Sequence, residues 1–376
     1  MSEKQRLVFV DLLRGWALIV MIEVHVLNSL MMTQLKLSAW YPYVNFINGL
    51  VAPSFLFVSG FAFILASRKK IEEFKEYKYI FWRQIGRILL IFIVGYSLHL
   101  PYLNVHKMMA IYNTPGWADF LKVDVLQCIA IGLAILFASR MFIKSEQNHL
   151  AFIIMTGAVF VLAAPLMWLI DFSKYMPLVI ADFFNPSWGS LFPLFPWIGF
   201  LTCGAVAAYY FLWAKEKGGT DKYKKHILTA GLAFVVIGHL TLTEGLPFFI
   251  RMPRPNWMFF ILRLGYVLIL LWLSMYYEKK KGMKKSFILD VSRESLLVYW
   301  LHLQVLYRKV WNDTSIETVV NYRFGIWECI AATLILITVM IYAAKLWGGL
   351  KKKSPMVSQA LFWFVLAVCT MIFYMA

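Results

Sequence analysis

The sequence predicts an all-α polytopic membrane helix bundle, one integral-membrane domain over residues 1–376, with about eleven transmembrane helices. Three observations predict it. Hydrophobic residues make up 61% of the chain and charged residues only 15%, a balance that excludes an ordinary soluble domain. Apolar stretches close to the roughly 20 residues that a spanning helix needs recur along the whole chain. Lysine and arginine gather in alternate loops, as the positive-inside rule requires.

The apolar stretches lie near 7–32, 44–67, 83–101, 119–139, 149–170, 191–213, 226–243, 257–277, 287–307, 326–346 and 357–375. The basic loops are Arg68 to Lys78, Arg140 with Lys144, Lys215 to Lys225, Lys279 to Lys285 and Lys345 to Lys353. The loops between them hold few cations, Arg251 and Arg254 among them. This alternation puts the N-terminus in the cytoplasm and the C-terminus outside. It also explains the net charge of +17 as topology and anionic-lipid contact rather than nucleic-acid binding. The short loops suggest a bacterial cytoplasmic (inner) membrane.

The first apolar run is too long for a signal peptide and lacks a small-residue cleavage site, so it reads as an uncleaved helix. It carries Asp11, Arg14, Glu23, His25 and Asn28. Eleven residues advance an ideal helix by about 1100°, only some 20° past three turns, so Arg14 and His25 share a face. Asp11 and Asn28 join that stripe, whereas Glu23 points almost the opposite way. Arg14 sits near the cytoplasmic end and His25 about 16 Å higher. Ionisable groups in a span face a bundle interior or a wet cavity. Snorkelling with Asp11 as partner is the bland account of Arg14, and a hydrogen-bonded structural histidine that of His25. Together they describe a track for a ligand with an anionic head and a long arm.

The second helix contains "SFLFVSGFAF", where Ser59 and Gly60 allow close backbone approach. The third opens with "WRQIGR", whose Arg83 and Arg87 share a face and suit phosphate oxygens, with topological anchoring the alternative. The fourth begins "VDVLQCIAIG"; capping accounts for Asp124 but not for Gln127, one turn on. The ninth holds "SRESLLVYWLHL", placing Ser295, Tyr299 and His302 on one face of a single helix, with His302 in the outer half like His25. The four cysteines fall inside apolar spans and show no metal or disulfide spacing. No HExxH-type spacing appears, so no metal is expected. No internal repeat and no pair of broken helices is visible.

These pieces, "DLLRGWALIVMIEVH", "FLFVSGF", "RQIGR", "VDVLQCIA", "FPLFPWIGFLTCGA" and "SLLVYWLH", together resemble the transmembrane acyltransferase superfamily from residue 11 to about 302. "VDVLQ" and "FPLFPWIGF" are more similar to the heparan-alpha-glucosaminide N-acetyltransferase-like branch than to acyltransferase family 3. The resemblance implies cytoplasmic acyl-CoA as donor and a sugar amine or hydroxyl on the far side as acceptor. Acyltransferase family 3 has a functional histidine at the spacing of His25 and an arginine pair near Arg83 and Arg87. The heparan branch carries its active histidine in the first outer loop, yet residues 33–44 hold none here, so the role falls to His25.

The resulting expectation is an acyl-CoA-dependent transmembrane acetyltransferase. Asp11, Arg14, Ser59, Arg83 and Arg87 would hold acetyl-CoA. His25 would act as general base or acyl carrier, with Asn28, Asp124, Gln127 and His302 completing the catalytic set and Asn28 or Gln127 donating to the oxyanion. Its partners would be acyl-CoA, a carbohydrate or glycolipid acceptor and the lipid bilayer, with homo-oligomerisation left open. A small-solute transporter and a non-catalytic scaffold are the alternatives.

Overall fold

The computed structural model describes residues 7–112, 114–243, 256–281, 286–309 and 314–375. Arg251, Arg254 and Lys285 lie outside the described residues. The main helices are α1 (Val8–Leu30), α2 (Tyr41–Asn48), α3 (Val51–Ser67), α4 (Tyr79–His99), α5 (Val125–Phe142), α6 (Glu146–Leu162), α7 (Leu194–Glu216), α8 (Thr220–Thr243), α9 (Trp257–Lys281), α10 (Phe287–Arg293), α11 (Ser295–Tyr307), α12 (Ile326–Lys353) and α13 (Pro355–Met375). Shorter helical turns connect them. An isolated extended bridge pairs Met31 with Phe324. Among the described residues eight helical segments are long and apolar enough to cross a bilayer.

The helices group into two compact units. The first comprises residues 1–51, 102–107 and 277–376, and the second residues 52–101 and 108–276.

In the first unit α1 packs on α10, α11 and α12. Leu12 meets Ile288 and Leu289 in a buried cluster that Val8 and Ile19 extend. Farther along, Leu27, Met31 and Cys329 form a second cluster. The end of α1 is tied by Met32 N–H donating to Phe324 O and Phe324 N–H donating to Leu30 O, both at 3.0 Å. These ties satisfy carbonyl and amide groups that a helix end otherwise leaves open.

In the second unit α7 is the central helix, with α3, α5, α6 and α8 packed around it. Gly60 and Gly204 explain how α3 comes so close. A Cβ on Gly60 would land on Leu201 O, and one on Gly204 would land on Phe57 O. Small residues at such crossings let helix backbones touch, the usual way to gain packing energy where lipid removes the hydrophobic drive.

Two helices depart from the sequence reading. The segment 287–307 is not one helix: Glu294 breaks it into α10 and α11. Inside α7, Phe195 has φ −93° and ψ 120°. Phe195 lies one residue into α7, whereas Glu294 is the eighth residue of the 287–307 stretch. A further correction concerns Arg140, read from the sequence as a loop charge. It lies in the last turn of α5, only 1% exposed, and donates to Ile143 O at 3.3 Å.

Candidate active site

The polar stripe of α1 meets α10 at one end and α11 at the other. At the lower end the Arg14 guanidinium stands 3.7 Å from Asp11 Oδ1, and Ser292 Oγ lies 3.5 Å from the same carboxylate. Asp11 is buried, so this is a desolvated pair within the first unit, in keeping with Asp11 as local partner of Arg14.

At the upper end His25 and His302 face each other. Their ring centroids are 5.3 Å apart at 56°. His25 Nδ1 lies 3.2 Å from Tyr307 Oη, and the same hydroxyl is 3.5 Å from His25 O. His302 is fully buried, with Nδ1 2.7 Å from Val298 O. A carbonyl only accepts, so Nδ1 carries a proton. Tyr299 packs edge-on to His302 with centroids 5.9 Å apart. Burying polar rings without hydrogen bonds is costly, and these contacts hold each ring in one orientation.

Glu23 lies on the other side of α1, as its helical angle requires. With the Asn48 amide oriented to donate, its Nδ2 reaches Glu23 Oε2 at 2.8 Å. Asn28 is exposed; its Oδ1 accepts from Tyr41 at 3.5 Å and its carbonyl from Lys36 Nζ at 2.8 Å.

The remaining sequence candidates lie in the second unit. Asp124 caps α5: its Oδ1 accepts from Val125 N–H at 2.6 Å, and Gln127 Oε1 accepts from Asp124 N–H at 3.2 Å. This reciprocal capping box accounts for Gln127 as well as Asp124, correcting the sequence reading that capping left Gln127 unexplained. His99 Nε2 comes within 3.4 Å of Asp124 Oδ2. Arg83 and Arg87 are both exposed on α4, with the Arg83 guanidinium over the Tyr79 ring at 5.5 Å. Between them a Cβ on Gly86 would meet nothing within 4 Å. Ser59 turns its hydroxyl back to Phe55 O at 2.7 Å. Its neighbour Gly60, rather than Ser59, makes the close contact.

Several groups escaped the sequence reading. Tyr307 is five residues past His302, off the face that Ser295, Tyr299 and His302 share, so no spacing marks it. His149 is buried between Ser139 Oγ at 3.0 Å and Tyr209 Oη at 2.7 Å. Beside it Arg68 forms paired hydrogen bonds to Glu146 at 2.6 and 2.9 Å and to Glu216 at 2.6 and 3.3 Å. The Glu146 carboxylate, with Glu216 beyond it, holds the Arg68 guanidinium above its usual range. Between α6 and α7, burial lifts the Asp182 carboxyl to about 7, against a downward pull from Lys122. Among the described residues neither Asp182 oxygen has a hydrogen-bond partner.

Residues 6–253 match the catalytic family of heparan-alpha-glucosaminide N-acetyltransferase, well over half of the 376-residue chain. The chain belongs to this family. Membership supports a membrane acetyltransferase that acts on a sugar acceptor. The matched region contains Arg14, His25, Arg83, Arg87, Asp124 and Gln127, whereas His302 and Tyr307 lie beyond it. A comparison with curated proteins finds no match.

Proposed function

We propose that this heparan-alpha-glucosaminide N-acetyltransferase family member moves an acetyl group from cytoplasmic acyl-CoA to an amine or hydroxyl of a sugar-type acceptor on the outer side, with His25 as general base. The observation that carries the reading is the contact of His25 with His302 and Tyr307 inside a chain of acetyltransferase family.

The Tyr307 hydroxyl donates to His25 O and accepts from His25 Nδ1–H, which leaves His25 Nε2 as the base. The acceptor passes its proton to Nε2 as its nitrogen or oxygen attacks the thioester carbonyl. The carbon–sulfur bond then breaks, and the leaving thiolate takes up a proton. His302 lies against His25 and positions it. Asn28, one turn beyond His25 on α1, supplies an amide donor to the developing oxyanion. Gln127 is given no such role, because its amide oxygen completes the capping box and its Nε2 donates to Lys122 O at 3.5 Å.

Arg83 and Arg87 are assigned to the phosphates of the donor. Their guanidinium forks match phosphate oxygens and they stand exposed beside an open glycine surface. Arg14 is assigned to the donor as well, with Asp11 orienting it.

Calorimetric titration of acetyl-CoA into detergent-purified protein, with thioester turnover on amino sugars, tests the reading. Binding should survive His25→Ala and weaken in Arg87→Ala, and turnover should require His25. Failure of folded wild type to bind acetyl-CoA removes this donor.

A further inference from the structure

An unexplained feature of the second unit is a groove of about 1000 Å³ among α6, α7, α8 and α9. Its volume is at the upper end of ligand pockets, which run to roughly 1,000 Å³. Ile153, Val161, Val206, Phe260 and Leu268 wall it. Along α7 it extends from Gly199 to Lys217, about 27 Å at 1.5 Å per residue, close to the roughly 30 Å hydrocarbon thickness of a bilayer.

The two ends differ chemically. One is apolar, at Leu162 and Gly199. The other carries Lys217, Lys222 and His226, all exposed, with Trp213 and Tyr210 beside them. This is the end that the positive-inside pattern assigns to the cytoplasm. The first turn of α8 begins at Thr220, between the two lysines, and the amide groups of a helix start favour an anion. The one acid in that turn, Asp221, is 3.4 Å from Lys224.

The walls decide what fits. Thr202 Oγ1 is already donated to Gly199 O at 2.9 Å, and the Tyr223 hydroxyl to Ala207 O at 3.0 Å. A pantetheine arm laid here would bury amide groups against walls whose hydroxyls are engaged, which is unfavourable. A hydrocarbon chain incurs no such cost and gains burial instead.

We propose that the groove is a binding site for an anionic phospholipid of the cytoplasmic leaflet, with its acyl chain against α6, α7 and α9 and its phosphate on Lys217, Lys222 and His226. This site is independent of the acetyl-transfer reading, and its test reads lipid rather than activity.

The test uses the full chain in nanodiscs and in detergent, with phosphatidylglycerol and phosphatidylcholine as probes. Thermal unfolding and native mass spectrometry report stabilisation and bound lipid. Wild type should retain phosphatidylglycerol and unfold at higher temperature with it than with phosphatidylcholine. The Lys217→Gln/Lys222→Gln variant should lose the preference by about tenfold in apparent affinity, while still taking up neutral lipid. Ala158→Trp, placed on the exposed wall, should exclude both lipids. If Ala158→Trp fails to fold, the lysine variant alone decides, because its substitutions are at exposed positions. Equal retention of the two lipids by wild type overturns the proposal. So does an unaltered preference in the lysine variant. Equal stabilisation by inorganic phosphate marks a free-anion site instead, and a dimer that Ala158→Trp abolishes marks a second copy of the chain as occupant; either result overturns it.

Discussion

His25 on α1 and His302 on α11 hold their ring centroids 5.3 Å apart, although most of the chain separates them in sequence. The pair exists because α1 packs on α11, and its orientation is set by Tyr307 and by Val298 O. The proposed roles, His25 as base and His302 as its support, rest on this contact.

Replacing His25 by alanine should lower kcat by about 10²–10⁴-fold, the range for loss of a general acid–base group. Acetyl-CoA binding should be unchanged. His302→Ala should cause a smaller fall in kcat, and Tyr307→Phe should shift the pH dependence of kcat/KM. Initial rates across pH, set beside calorimetric binding, check all three.

Arg87→Ala should raise the KM for acetyl-CoA about 10- to 100-fold, matching the roughly 1.5–3 kcal/mol of a hydrogen bond to a charged group. Arg87→Lys should recover only part, because an ammonium cannot form the paired contact. Steady-state kinetics with CoA donors lacking the 3′-phosphate show whether Arg87 meets that group: the losses should then fail to add.

Asp124→Ala should cost about 1–2 kcal/mol through loss of the α5 cap, and Gln127→Ala about half as much. Thermal unfolding in detergent measures this. Asp124→Asn keeps an N-cap acceptor and should keep most of the stability. A raised acceptor KM in that variant, with stability preserved, assigns Asp124 a substrate role beyond capping.

Asp182 should make stability depend on pH. Its folded pKa of about 7 exceeds the roughly 3.9 of an unfolded aspartate, so the native state binds the proton more tightly. Stability is therefore full below about pH 4 and falls as pH rises toward 7, by at most about 4 kcal/mol. Asp182→Asn should flatten the unfolding temperature across that window. An unchanged slope in the variant rules Asp182 out as its source.

Much of this architecture was legible in the residues. The apolar stretches became helices, and the 100° rule placed Arg14 and His25 on one stripe with Glu23 turned to Asn48. His302 was legible as a histidine on a helix face shared with Ser295 and Tyr299. Its meeting with His25 was not, because helix periodicity says which face is polar but not which helix covers it. Tyr307 carried no signal, since its place depends on where α11 ends. The break at Glu294 was hidden by an apolar run that continues on both sides. Gln127 was misjudged because the capping box joins two residues that looked like separate chemistry. Arg140 looked like a loop cation because the sequence does not show that α5 continues through it.

The most direct test of His25 as the base is single-turnover acetyl transfer from radiolabelled acetyl-CoA to a glucosamine-type acceptor by protein reconstituted in vesicles. Wild type should transfer label, and His25→Ala should bind the donor equally well yet transfer at least about 100-fold more slowly. Transfer by His25→Ala at the wild-type rate would contradict the account and move the base to another residue.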